Sequence, residues 1–103
     1  MKRWNVELCT SHAPWRVEFN GRSIAGWGVL SARDEVVAHI PQDIVHDEAN
    51  ARLIASAPEL LRALELGLRN IEEIESNDEL NEYEKAFANA ARAAISKAKG
   101  GAA

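Results

Sequence analysis

Residues 47–74 read DEANARLIASAPELLRALELGLRNIEEI, and the spacing of apolar side chains in this stretch decides the fold. Ala49, Leu53 and Ala57, then Leu60, Leu61, Leu64, Leu68, Ile71 and Ile74, recur at the 3.6-residue period of a helix with one apolar face. Pro58 interrupts the run. Proline lacks an amide donor and crowds the preceding turn, so it belongs in the first turn of a helix and not in its interior. The stretch therefore predicts a short helix over 42–57, a break at Ala57, and a long helix from Pro58 to about Glu75. Asp43 or Asp47 is placed to cap the short helix, and Glu59 lies where the positive end of the long helix dipole favours an anion.

Working outward, the residues before this stretch change period from 3.6 to two. Trp4, Val6 and Leu8 alternate with Arg3, Asn5 and Glu7; Trp15, Val17 and Phe19 alternate with Arg16 and Glu18. Each pattern suits a strand with one buried face. Asn20-Gly21 is a strong hairpin signal because both residues tolerate positive φ. Ser23–Ser31 reads as a third strand, in which Gly26 and Gly28 around Trp27 suggest a bulge or a close backbone approach. Glu35–Ile40 reads as a fourth strand, ended by Pro41. Beyond the central stretch, Ser76 and Glu79 fit a capping box for a last helix, Asp78–Lys99. Its stripe of Leu80, Tyr83, Phe87, Ala91, Ala94 and Ala98 is spaced to pack on the long helix, with Phe87 opposite Leu64. The reading is thus α+β: a four-stranded antiparallel β-meander over 1–41, then a short helix and a long antiparallel helical hairpin over 58–99. It forms a single domain, 1–99, with a disordered tail at 100–103. No internal repeat is present.

Composition narrows the function classes. The chain has 103 residues, 47% apolar and 27% charged, as in ordinary soluble domains. No apolar run approaches the roughly 20 residues that span a bilayer, and MKRWNVEL has no signal-peptide core. One cysteine, Cys9, excludes an internal disulfide and suits a reducing compartment. A cytoplasmic location in a bacterial host cell is expected. The net charge of −4 argues against direct nucleic-acid binding.

The motifs Ala13-Pro14-Trp15 and Glu48–Leu61, EANARLIASAPELL, resemble those of a widespread set of small bacteriophage and prophage proteins. Those proteins carry a His-Thr-Pro-Gly-Pro-Trp-like start, which Ser11-His12-Ala13 shortens here, and the same long helix motif. The resemblance implies a phage context and supplies no active site.

Chemistry-bearing residues are few. His12, His39 and His46 share no metal-ligand spacing with Cys9 or with paired carboxylates, and no nucleophile–base pair is placed. An enzyme is not expected, nor any cofactor or metal. Asn50 and Arg52 flank apolar positions in the motif. Structurally, Arg52 pairs with Glu48 one turn earlier and Asn50 bonds a loop or the Pro58 break; functionally, both line a ligand pocket or interface. Trp15 and Trp27 read either as core and rim residues of the sheet or as a stacking platform for a nucleobase.

The charge pattern is more informative. Glu72, Glu73, Glu75, Asp78, Glu79, Glu82 and Glu84 fall in one run without a base, leaving the rest of the chain at +3. Such a hairpin tip either solubilises or docks on a Lys/Arg-lined channel as an anionic knob. The leading expectation is a non-enzymatic phage protein that binds and inhibits a host-defence component, in the manner of an anti-CRISPR. Two alternatives stand beside it: an oligomeric sponge for a nucleotide signal using Arg52, Trp27 or Arg22, and a structural or regulatory phage factor. A homo-oligomer, simplest as a dimer, is expected through Ala86, Ala90 and Ala93.

Overall fold

The computed structural model describes residues 11–19, 26–42 and 45–101. Six elements follow one another: strands β1 (Arg16–Phe19), β2 (Trp27–Leu30) and β3 (Val36–Ile40), then helices α1 (Asp47–Ala55), α2 (Ala57–Asn77) and α3 (Glu82–Ala98). The fold is α+β, and among the described residues the sheet has three antiparallel strands in the order β1-β2-β3. The strand expected at Trp4–Leu8 and the turn expected at Asn20-Gly21 lie outside the described residues. The chain divides into two compact units, Cys9–Glu59 and a second that contains Leu60–Ala103.

In the first unit, α1 packs across all three strands. Val29, Ile40, Ala51 and Ala55 form the buried cluster, with Trp15, Val17, Trp27, Val37, Ala38 and Ile54 packed around it. The buried face of α1 is therefore Ala51–Ile54–Ala55. The sequence stripe Ala49–Leu53–Ala57 is exposed, and Leu53 is 64% accessible. Two alanines one turn apart let the helix backbone settle closely on a sheet, a placement that a leucine would prevent; side-chain size overrides hydrophobicity here. A bulge where Leu30 pairs with Val36 and Val29 with Ala38 re-aims Val37, so that Val37 and Ala38 both reach the core. The Gly26-Trp27-Gly28 segment makes the close backbone approach expected of it. A side chain on Gly26 would run into the backbone of Ile40 and Gln42. Across β1 and β2, Phe19 and Trp27 are directly paired, their rings 4.7 Å apart and tilted by 54°.

Ser31 organises the β2–β3 turn. Its buried Oγ accepts from the amides of Arg33 and Glu35, both at 3.2 Å. Its own amide donates to the Glu35 carbonyl at 2.9 Å. Asp34 takes the left-handed conformation, φ 64°, that aspartate tolerates in turns. Ser31→Ala removes the acceptor for two turn amides while sparing the shape, and is expected to cost about 1–3 kcal/mol. The urea midpoint of unfolding measures this, and an unchanged midpoint would show that water replaces the hydroxyl.

In the second unit, α2 and α3 run antiparallel. Arg92 reaches Glu72 at 3.3 Å and Glu75 at 3.6 Å, and Lys99 reaches Glu65 at 2.8 Å. The capping box is at Asn81 and Glu84, not Ser76 and Glu79: Asn81 accepts from the Glu84 amide, and the Glu84 carboxylate accepts from the Asn81 amide, both at 2.8 Å. Helix α2 continues through Ser76 to Asn77, so that serine stays inside a helix and donates to the Glu73 carbonyl. The last helix consequently begins at Glu82 and not at Asp78. Its buried residues are Ala88 and Ala91, with Leu80 buried just before it. Tyr83, Phe87, Ala94 and Ala98 of the expected stripe are exposed, a rotation of about one residue around the helix. Phe87 lies over Gly67: a Cβ on that glycine would meet the Phe87 ring at 3.2 Å. At the far end, Gly101 donates to the Ser96 carbonyl and Gly100 to that of Lys97, with Gly100 at φ 86°. These bonds close α3 with a Schellman cap.

Candidate functional site

Two surfaces gather the polar residues that the sequence singles out, one in each unit. The first is an open groove of about 440 Å³ in the sheet unit, lined by Trp15, Arg16, Val17, Arg52, Ser56 and Glu59 among others. The Ala13–Pro14 peptide before Trp15 is cis. The Trp15 indole donates to the Ser11 carbonyl at 3.1 Å, which fixes one wall. Arg52 forks onto one oxygen of Glu48, with Nε at 2.9 Å and Nη2 at 2.7 Å, the (i, i+4) pair that helix spacing implies. Arg16 is held more completely. It donates to the Glu18 carboxylate at 3.0 Å, to the Ser31 carbonyl at 3.1 Å, and to the Asp34 carboxylate. Hydrogen bonding to Asp34 first, and to Glu18 second, raises its already high pKa, so the guanidinium keeps its charge throughout the working pH range.

The sequence reading paired Arg52 with Trp27, Arg22 and Asn50. The structure instead brings Arg52 beside Trp15. Trp27 is half-buried against the core cluster and Phe19, Asn50 is exposed on α1, and Arg22 lies outside the described residues. Sequence reasoning offered Trp15 as a stacking platform but did not place it, or Arg16, beside Arg52. The signal was weak, since the groove forms only where β1 meets the α1–α2 junction. His12 and His39 are exposed, and His46 is the N-cap residue of α1, without a side-chain cap bond. Asp47, proposed for that role, is the first helical residue, with its carboxylate accepting from the Glu48 amide at 2.6 Å. Among the described residues, no three His, Cys, Asp or Glu side chains cluster to hold a metal ion.

The second surface is the tip of the α2–α3 hairpin, where all seven acids of the run 72–84 reside. Five of them have structural partners. Glu72 and Glu75 share Arg92, Glu84 closes the cap, and Glu79 lies 4.0 Å from Lys85. Asp78 accepts from the Glu79 amide at 2.8 Å, and Glu73 and Glu82 are exposed. Helix α2 has no basic residue in its last turn. Carboxylates therefore sit against the negative end of its dipole, an arrangement that costs stability. A shallow depression lined by Asn70, Glu73, Ile74, Ser76, Asn77 and Asp78 accompanies them. Among the described residues, no helix is long and apolar enough to cross a membrane.

Neither a curated protein nor a solved structure matches this chain. The family model of Salmonella phage P22 protein Y8K6, however, matches residues 1–102. That match spans both units, agrees with the phage context implied by the motifs Ala13-Pro14-Trp15 and Glu48–Leu61, and shows that the chain belongs to the phage family of Salmonella phage P22 protein Y8K6.

Proposed function

We propose that this phage protein is a non-enzymatic inhibitor that acts through the acidic tip of its helical hairpin, binding a Lys/Arg-lined surface of a host-defence component in the bacterial cytoplasm. The observation that carries this reading is the unneutralised end of α2. Seven acids gather at the hairpin tip, Glu82 and Glu84 in the first turn of α3 and the others in or just after the end of α2; Arg92 and Lys85 answer only part of the charge, and the end of α2 adds its own negative field. A cost to the isolated fold is tolerated where the same groups serve binding. Such a tip competes with phosphate for basic side chains without itself binding nucleic acid. The nucleotide-sponge alternative draws on the groove of Trp15 and Arg52. It is the weaker reading because Glu48 already occupies Arg52, and Glu18 and Asp34 occupy Arg16.

Reversing Glu73, Asp78 and Glu79 to lysine leaves the Arg92 ion pairs and the Asn81–Glu84 cap in place. The triple variant is expected to lose partner capture from host lysate, and protection of phage in a defence-positive host, while its circular dichroism stays that of the parent. Binding by the parent should also weaken as salt rises, since the Debye length is only about 10 Å at 0.1 M. Full activity in the reversed protein would remove the tip from consideration. Mass spectrometry that finds a bound nucleotide and no protein would favour the groove.

A further inference from the structure

We infer that α3 is the contact between two copies of this chain, paired antiparallel about a two-fold axis at Ala90. Tyr83, Ala86, Ala90, Ala93 and Lys97 recur at alternating spacings of three and four, the seam of a coiled coil. All five are exposed, although the same helix buries Ala88 and Ala91 on its other side. Tyr83 is 87% accessible, and Phe87, beside the seam, is 38% accessible. Tyr83 and Phe87, with the exposed Ala86, Ala90 and Ala93, form an apolar face with room for a close neighbour.

Charge selects a second copy as the occupant. Helix α3 has Glu82 and Glu84 in its first turn and Lys97 in its last. Among the described residues, neither Glu82 nor Lys97 forms an ion pair, whereas Lys99 is engaged by Glu65. An antiparallel partner brings the acidic end of one helix to the basic end of the other, twice, and opposes the two helix dipoles favourably. With the axis at Ala90, Lys97 of one copy lies over Tyr83 and beside Glu82 of the other, where an ion pair and a cation–π contact are both available. The alanines at the middle layers let the helices approach, and the aromatics fill the ends. The seam is about 21 Å long, so the dimer falls at or below the roughly 1,200–2,000 Å² of standard interfaces and is expected to be weak. The inference does not rest on the acidic tip as a docking site: it shares only Glu82 with the tip, and Glu73, Asp78 and Glu79, the residues reversed to test that site, are outside the seam.

Sedimentation equilibrium of the full chain, from about 1 μM to about 500 μM, reads the dimer directly. Mass is expected to rise from monomer to dimer across that range. Ala90→Arg, at an exposed position in a good helix former, should leave the helical circular dichroism intact and keep the chain monomeric. Glu82→Lys and Lys97→Glu should each weaken the dimer about tenfold, because each change acts at two symmetric contacts, and the double variant should restore it. A parent chain that stays monomeric throughout overturns the inference. So does a dimer indifferent to Ala90→Arg, or charge reversals that the double variant does not repair.

Discussion

Gly26→Ala is expected to destabilise the sheet unit by about 2–6 kcal/mol, combining about 1–3 kcal/mol for a strained backbone with about 1–3 kcal/mol for overpacking. Gly26 is buried at φ 105°, a conformation that L side chains rarely adopt. An added Cβ would overlap the Ile40 carbonyl oxygen and stand 2.8 Å from the Gln42 nitrogen. Both obstacles are backbone, so neither can rotate away; relief requires moving the end of β3. Gly28→Ala is the matched control. Its Cβ would meet only the Glu18 carbonyl, at 3.8 Å, an ordinary contact, and a change within about 1 kcal/mol is expected. Chemical denaturation of the two variants separates the readings. Equal midpoints would show that the chain relaxes around Gly26 and that the close approach is dispensable.

Ile40→Ala is expected to cost about 2–5 kcal/mol, through lost burial and the cavity left among Val29, Ala51 and Ala55. For a domain whose total stability is about 5–15 kcal/mol, that is a large share. Leu66→Ala on α2 should cost about 1 kcal/mol, since that side chain is already half exposed. The contrast is informative because α2 bears the strongest apolar periodicity in the chain yet has no fully buried residue. Short strands and two alanines of α1 build the tighter core. Melting temperatures of the two variants in one buffer test the ranking. A larger loss for Leu66→Ala would place the stabilising contacts on the hairpin instead.

The contrast between these sites also marks how far the sequence could be read. Local rules were legible. Pro58 split the helical stretch where expected, with Ser56 between α1 and α2, because proline's missing donor acts regardless of surroundings. The Glu48–Arg52 pair followed from helix spacing, and the alternation around Val17 placed β1. The exchange of one capping box for another was a local competition. Asn81–Glu84 and Ser76–Glu79 have the same spacing, and α2 persisted far enough to absorb the serine.

What depended on tertiary structure was the direction each helix faces. Hydropathy weights Leu53 above Ala51, but the distance between α1 and the sheet admits alanine and expels leucine. The phase of α3 likewise follows its packing, which buries Ala88 and Ala91 and leaves Tyr83 outside. The groove around Trp15, Arg16 and Arg52 joins residues from elements separated in sequence, and the Asp34 carboxylate that holds Arg16 comes from the β2–β3 turn. The acid run was plain in the sequence because charge adds along the chain. Which of its carboxylates Arg92 and Lys85 neutralise was decided only when the second helix folded back beside the first, since an ion pair is a matter of ångströms and not of composition.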